Sequence, residues 1–186
     1  MLRNICSYIF IIIGVIFINK SFLFCMVEGI SMQPTLNEKD YILVNKVNVC
    51  LSSFHHGDVV IIKKEDEPTY YVKRIIGLSG DNIQLKKDEV FINGKKRDES
   101  YIHLDMSQVS NRFSNFREIK VPTHKLFVLG DNRNHSKDSR NTLGLIDESN
   151  IIGKVEMVFY PFDHIKWIKS FYQLFTFYKI NHILIA

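Results

Sequence analysis

The sequence predicts an all-β fold, an antiparallel β domain preceded by an N-terminal transmembrane helix. Two observations lead to this prediction. A long apolar run begins at Ile5, close to the N-terminus. Beyond it the chain divides into short runs rich in Val, Ile, Tyr and Phe, separated by Gly-Asp and Asn-Gly pairs that are typical of tight turns between strands. With 186 residues, the chain has room for one domain and an appendage.

The N-terminal apolar run is long enough to cross a bilayer. As a helix, Ile5 to Val27 would extend about 34 Å, against a hydrocarbon core of about 30 Å. Lys20 interrupts this run and is tolerated if its ammonium reaches the far interface. A cleaved secretory signal is the alternative, but no small-x-small cleavage site follows the run. We therefore expect a membrane anchor over residues 1–27, with Arg3 on the side that is not translocated.

The rest of the chain is predicted to form one β-rich domain, residues 28–168. Residues 98–118 are polar and rich in Ser and Asn, which indicates an inserted loop with little regular structure. The tail, residues 169–186, is apolar but interrupted by Lys and His, which favours a segment that lies along a surface. The strands are predicted at 40–47, 58–64, 70–77, 82–85, 90–94 and 125–132.

Composition excludes several classes of function. Lys and Arg number 24 against 20 Asp and Glu, and the basic pairs are scattered, so nucleic-acid binding is not expected. The three cysteines are odd in number and widely spaced, which argues against a disulfide framework and against a zinc site. We expect neither a metal nor an organic cofactor.

Ser31 lies in the segment "VEGISMQPTLN", between Gly29 and Pro34. The simplest interpretation of this segment is a turn, in which Ser31 bonds only to nearby backbone. A catalytic role would require a base to take the proton of the hydroxyl.

Lys73 is the candidate base. In the predicted strand "YYVKRIIG", alternation places Tyr71 and Ile75 on the same face as Lys73. Burial among such neighbours disfavours the ammonium and lowers the pKa, so that a lysine can act as a general base near neutral pH. The ordinary alternative is a lysine that extends to solvent from a half-buried strand. The seven histidines stand in no comparable context.

Three segments, "GISMQPTL", "YYVKRIIGLSGD" and "LGDNRNHSKDSR", resemble in order and spacing the sequence boxes of type I signal peptidases. The third box is the most specific. The resemblance implies that Ser31 is the nucleophile and Lys73 the general base, in an all-β core to which the substrate adds as an extended strand. It also implies that small pockets select small residues at −1 and −3 of the cleavage site. By position, Ser136 corresponds to the serine that orients the lysine, and Asp138 and Arg140 to a supporting pair.

The same resemblance implies the partners and the location. The expected partners are precursor proteins with cleavable signal or sorting segments, together with the lipid bilayer. The short chain favours a subunit of the mitochondrial inner membrane protease, with its catalytic domain in the intermembrane space, and leaves open whether a second peptidase subunit is required. The complete third box favours the alternative, a bacterial-type leader peptidase that faces outward from the cytoplasmic membrane.

One departure from the family pattern concerns the oxyanion. Gly29 stands where some bacterial members carry a serine that donates a hydrogen bond to the developing oxyanion. The backbone N–H of Ser31 is then the one donor that the sequence assigns. Loss of such a donor typically costs a factor of about 10² to 10³ in rate, so we expect a second donor elsewhere.

Three other classes of protein share single features with this sequence. A self-cleaving Ser/Lys transcriptional repressor would need a helix-turn-helix domain where this chain has an apolar segment. A calcium loop fails because Arg133 and Ser136 stand where an EF-hand requires Asp or Asn and Gly. A non-catalytic membrane adaptor would need no particular residue at positions 31 and 73. Substitution of Ser31 and of Lys73 therefore tests that alternative.

Overall fold

The structure, a computed structural model, describes residues 2–47, 49, 53–64, 67–87, 89–102 and 115–168. Helix α1 (Leu2–Ser21) comes first, and twelve strands follow within these residues. The strands are β1 (Phe22–Met26), β2 (Tyr41–Asn45), β3 (Val59–Lys63), β4 (Tyr70–Gly77), β5 (Asn82–Lys86), β6 (Glu89–Ile92), β7 (Lys95–Lys96), β8 (Phe116–Lys120), β9 (Lys125–Leu129), β10 (Ile146–Asp147), β11 (Ile151–Tyr160) and β12 (Lys166–Trp167).

The strands form two antiparallel sheets. The larger has the order β1-β2-β11-β3-β4-β9-β10, with β12 beside β11. The smaller has the order β7-β6-β5-β8. The prediction of an antiparallel, mostly β fold is confirmed, and all six predicted strands are present with ends that differ by up to three residues.

Buried apolar side chains pin the segment that contains Ser31. Met32 and Leu36 are buried in a cluster with Val27, Ile42 and Val158, so the turn between β1 and β2 is anchored on both sides of Ser31. Fully burying a side chain of this size stabilises the fold by roughly 1.5 to 3 kcal/mol. The serine is therefore presented by a packed turn.

The N-terminal segment differs from the prediction. We expected one continuous apolar helix to Val27, but helix α1 ends at Ser21 and the next five residues form β1, which pairs with β2 from Phe22↔Asn45 to Met26↔Tyr41. The polar residues Lys20 and Ser21 end the apolar stretch, and pairing with β2 satisfies the backbone groups of "FLFCM". Within the described chain, no helix combines the length and the apolarity that a membrane crossing requires.

Five further strands were not predicted, namely the two-residue strands β7, β10 and β12 and the longer strands β8 and β11. Strand β8 lies at the end of the expected loop 98–118, so that loop is shorter than predicted, and its residues 103–114 lie outside the described residues. Strand β11, the longest described strand, lies between β2 and β3 and carries β-bulges that break simple alternation. The tail 169–186 also lies outside the described residues, so its prediction stays untested.

Candidate active site

Ser31 and Lys73, 42 residues apart in sequence, meet in the structure. Ser31 lies in the turn between β1 and β2, and Lys73 in the middle of β4. The Nζ atom of Lys73 lies 2.7 Å from Oγ of Ser31. It also donates a hydrogen bond to the carbonyl oxygen of Val72, at 2.8 Å. A neutral amine can make both contacts, with its lone pair toward the serine hydroxyl and one N–H toward the carbonyl.

Burial changes the acid–base behaviour of Lys73. Its side chain is almost fully enclosed, with 3% of the residue exposed. Desolvation lowers the pKa of Lys73 from 10.5 to about 8, against the opposing effect of the negative charges of Asp138 and Asp131. The ring of Tyr71 lies 6.0 Å from Nζ. A substantial fraction of this lysine is therefore neutral near physiological pH, as a general base requires.

A cleft of about 540 Å³ opens beside these two residues. One wall is formed by residues 26–29, 31 and 32, and the other by residues 68–73 at the start of β4. Residues 70–73 of one wall are the start of β4, whereas the facing wall runs from the end of β1 into the turn that carries Ser31, and both Ser31 and Lys73 line the cleft. A cleft with a strand along one side suits an extended peptide.

The segment that follows β9 forms hydrogen bonds with the turn that carries Ser31. The backbone N–H of Asn132 donates to the carbonyl of Ser31 at 3.0 Å, and its side-chain amide donates to the carbonyl of Ile30 at 3.2 Å. Gly130 lies directly against Ser31, close enough that no side chain fits between them. The third sequence box therefore contacts the first.

Asp138 and Arg140 form a buried ion pair within this box. Arg140 donates to both carboxylate oxygens of Asp138, at 2.9 and 3.0 Å, and to the carbonyl of Arg133 at 2.7 Å. Asp138 in turn accepts from the backbone N–H of Gly130 at 3.2 Å. These bonds link Gly130, Arg133, Asp138 and Arg140 within one loop, and the role of Asp138 and Arg140 as a supporting pair stays a prediction.

Ser136 does not make the predicted bond. Its Oγ is buried and has no hydrogen-bond partner among the described residues, so it does not contact Nζ of Lys73 within bonding distance. The carbonyl of Val72 orients the amine in its place. The role of Ser136 in orienting the lysine stays a prediction.

Sequence reasoning missed a second buried cation. Arg74 pairs with Asp131 through two contacts, Nη2 to Oδ2 at 2.6 Å and Nε to Oδ1 at 2.9 Å. It also donates to the carbonyl of Gly57 and to Oγ1 of Thr35, four residues after the nucleophile. The available signal was an arginine next to the lysine in an apolar strand, on the opposite face, together with the aspartate of the third box.

Gly130→Ala should strongly slow precursor cleavage, whereas Gly14→Ala in helix α1 should leave the rate unchanged. A Cβ on Gly130 would lie 2.5 Å from the carbonyl oxygen of Ser31 and would also overlap Ser136, so Ser31 must move. A shift of that kind costs about 10²-fold in rate. Gly14→Ala is the matched control, since nothing lies within 4 Å of its added methyl group. Precursor cleavage at equal protein concentration measures both, and equal rates would contradict the close contact.

This chain is similar to known proteins over most of its length. Residues 2–160 match the family model described as "Signal peptidase, peptidase S26". Signal peptidase I P of Bacillus subtilis subsp. natto is 42% identical over 167 residues, which cover 87% of this chain and 90% of the relative. Signal peptidase I S of Bacillus subtilis strain 168 is 40% identical over 154 residues, which cover 79% and 83%. A solved signal peptidase I from Enterococcus faecalis V583 is 26% identical and aligns with a TM-score of 0.47, over 55% of this chain and 97% of the solved chain.

These relatives correct one expectation. The short chain favoured a mitochondrial inner membrane protease subunit, whereas the relatives named above are bacterial signal peptidases, so the bacterial-type alternative is the better supported. None of these comparisons bears on a second peptidase subunit. Identity of 40 to 42% over most of the chain supports serine endopeptidase activity. The chain belongs to the signal peptidase family, peptidase S26.

Proposed function

We propose that this protein is a bacterial-type signal peptidase I that removes signal peptides from translocated precursor proteins with a Ser31/Lys73 dyad. The observation that carries the proposal is the 2.7 Å contact between Oγ of Ser31 and a buried lysine amine. The lowered pKa of that amine, about 8, supports the assignment of the base. Precursor proteins are its partners.

The first half of the reaction forms an acyl-enzyme. Neutral Nζ of Lys73 accepts the proton of the Ser31 hydroxyl as Oγ attacks the scissile carbonyl carbon. The carbonyl oxygen becomes an oxyanion, to which we assign the backbone N–H of Ser31 as one donor. The lysine ammonium then gives its proton to the leaving amine, the C–N bond breaks, and the mature protein departs with a new N-terminus.

The second half releases the signal peptide. Water enters the position of the departed amine, and neutral Lys73 takes one of its protons as the water oxygen attacks the ester carbonyl. The ester bond to Oγ breaks and the ammonium returns a proton to Ser31. The signal peptide leaves as a carboxylic acid, which loses its remaining proton to solvent and becomes a carboxylate, and both residues regain their starting states.

Substrate binding follows from the shape of the cleft. The start of β4 forms one wall of the cleft and Ser31 lies in the other, so a peptide that lies along β4 in strand conformation would reach the serine. The family resemblance implies that small residues occupy positions −1 and −3 of such a peptide. Asp138 and Arg140 act as the supporting pair, because their buried bonds hold the loop that contacts the serine turn.

We place the enzyme at the outer face of the bacterial cytoplasmic membrane, in line with its bacterial relatives. Large apolar side chains are exposed on the described part of helix α1, and exposed aromatic residues lie on β1, β2, β11 and β12 and just after β11. Aromatic residues at such a surface suit the interface between lipid and water. These exposed aromatic residues are Phe24, Tyr41, Tyr160, Phe162 and Trp167.

The function is tested with the full chain in detergent or lipid vesicles. The purified protein is mixed with a bacterial precursor, and the product is sequenced from its new N-terminus. We expect one cut, after a small residue at −1, and no cut when that residue is replaced by a bulky one. Scattered cuts, or cleavage that persists in Ser31→Ala, would refute a signal peptidase that uses this serine.

A further inference from the structure

Two arginines are buried beside the proposed dyad. Arg74 and Arg133 are 3% and 4% exposed. A buried guanidinium is costly unless a carboxylate pairs with it and its N–H groups find acceptors. Asp131 supplies that partner for Arg74. Arg133 requires a different one.

One short turn reaches both arginines. Residues 97–102, called here the Glu99 turn, follow β7 and close with a bond from the N–H of Ile102 to the carbonyl of Glu99 at 2.9 Å. Oε1 of Glu99 lies 2.5 Å from Nη2 of Arg133, and the carboxylate side chain is 10% exposed. The Tyr101 hydroxyl donates to the same oxygen at 2.5 Å, while its ring covers the guanidinium of Arg74 at 4.0 Å.

Arg133 links the Glu99 turn to the nucleophile. Its Nε donates to the carbonyl of Gly130 at 3.1 Å, and its own carbonyl accepts from Arg140. Asn132, which directly precedes Arg133 in the chain, donates its backbone N–H to the carbonyl of Ser31. Movement of Arg133 therefore moves the backbone that holds the serine. Its Nη1 has no hydrogen-bond partner among the described residues, so loss of Glu99 would leave still more of this buried cation unpaired.

We propose that Glu99 is a positioning residue for cleavage, which acts through Arg133 on the turn that carries Ser31, and that the Tyr101 hydroxyl holds the Glu99 carboxylate in place. This inference rests on the proposed Ser31 mechanism. Glu99 and Tyr101 come from outside the three sequence boxes, in a turn that follows β7 of the smaller sheet, and they contact Arg133 of the third box and Arg74 of the larger sheet. The two sheets are thus joined at the site.

Glu99→Gln tests the role of the carboxylate, and Glu89→Gln is the matched control. Glu89 makes the same kind of ion pair, with Lys96 at 2.5 Å, but those side chains are 46% and 59% exposed and lie on β6 and β7, away from the cleft. Exposed pairs of this kind contribute little to stability. Precursor cleavage is measured in full-length protein at a temperature where near-ultraviolet circular dichroism shows each variant to be folded.

We expect Glu99→Gln to lower kcat by about tenfold or more with KM within about threefold of wild type, because a displaced nucleophile slows chemistry more than binding. The pH at which the rate rises should stay where it is in wild type, since Glu99 does not contact Lys73. The double variant Glu99→Gln/Arg133→Gln should lose no more than Arg133→Gln alone, because both act through one link.

Other results overturn the inference. A kcat for Glu99→Gln equal to that of Glu89→Gln would show that the carboxylate does not position the site. A rate limb displaced toward pH 10 would show that the turn only keeps water from Lys73, which is a structural role. Losses that add in the double variant would show that Glu99 does not act through Arg133. Failure of wild type and Glu89→Gln to cleave would instead refute the proposed function.

Tyr101→Phe keeps the test decisive if Glu99→Gln fails to fold. The phenylalanine ring still covers Arg74, and only the hydroxyl donor to Glu99 is removed. We expect a kcat reduced by roughly threefold to tenfold, in the range that one hydrogen bond contributes. An unchanged kcat would contradict the role assigned to Tyr101 and to the carboxylate that it holds.

Discussion

Lys73→Met is expected to abolish precursor cleavage and, at neutral pH, to raise the free energy of unfolding. The variant loses the amine that hydrogen-bonds to the Ser31 hydroxyl, so the proposed general base is removed. The methionine also removes a charge that folding must bury. Cleavage is followed by gel assay of the precursor and its product, and stability by denaturant unfolding of the same preparation.

The sign of the stability change follows from proton linkage. The pKa of Lys73 is about 8 in the folded protein and near 10.5 in the unfolded chain, so the unfolded state holds more protons between these values. Burial of the ammonium therefore costs stability fully below about pH 8, and the cost disappears as the pH rises toward 10.5. The shift corresponds to about 3 kcal/mol. Loss of the two contacts made by Nζ offsets about 1 kcal/mol each.

Three companion variants complete this test. Lys73→Arg should be as inactive as the methionine variant, because a guanidinium stays protonated at any usable pH. Ser31→Ala should be inactive with the fold intact, which separates the enzyme from a non-catalytic adaptor. His135→Gln should keep substantial activity. A methionine variant with more than about 1% of wild-type rate would refute Lys73 as the base, since general bases typically contribute about 10²-fold or more.

The contact between Ser31 and Lys73 was accessible from sequence through the family resemblance, because three short boxes in the right order specify it. Composition alone favoured a turn serine and an exposed lysine. Charges that come from distant segments were not accessible. Arg133 finds its carboxylate 34 residues away, on a turn whose sequence "DESY" has no distinguishing feature. Pairing of this kind depends on how two sheets pack, which local pattern does not report.

Some strands of the fold were likewise predictable from sequence and others were not. Strands bounded by Gly or Asn turns, such as β4 and β5, were predicted because alternation and turn residues agree. Strand β1 was predicted as part of the apolar helix, since "FLFCM" is as hydrophobic as the helix before it and only its pairing with β2 makes it a strand. Short apolar runs of this length do not distinguish helix from strand by periodicity.

The preference for a mitochondrial over a bacterial enzyme is not supported by the relatives named above. It rested on the short chain, which is a property of the whole sequence and not of the residues at the site. The complete box from Gly130 to Arg140 pointed to the bacterial type, and its residues make the contacts described above to the serine turn. Features that do structural work at the site were the more reliable guide.

The pH dependence of cleavage gives the second large effect. In the free enzyme, kcat/KM should rise with pH along one ionisation near pH 8, because the ammonium of Lys73 is inactive and the neutral amine is the base. An unburied lysine would place that limb near its ordinary pKa of 10.5. Initial rates with a short peptide substrate below its KM give the profile. The limb should be absent from Lys73→Met at every pH.

Burial is the proposed cause of the lowered pKa of Lys73. A charge placed next to the amine tests whether Lys73 is the group that titrates. Ile75 shares a strand face with Lys73 but lies in the apolar core, where a carboxylate would unfold the protein. Tyr71 is only partly buried and its ring lies 6.0 Å from Nζ, so Tyr71→Glu puts a carboxylate near the ammonium at tolerable cost. Tyr71→Gln has nearly the same shape without the charge.

An opposite charge at this distance stabilises the ammonium and typically raises the pKa of a lysine by about one unit or more. The limb of the glutamate variant should therefore lie at higher pH than that of the glutamine variant, with the greatest loss of activity at neutral pH. Comparison of the two variants cancels any contribution of the lost ring to substrate binding. If the two limbs coincide, or if the glutamate limb moves to lower pH, the titrating group is not Lys73. The amine that lies 2.7 Å from Ser31 would then be a structural contact, and another group would have to take the proton.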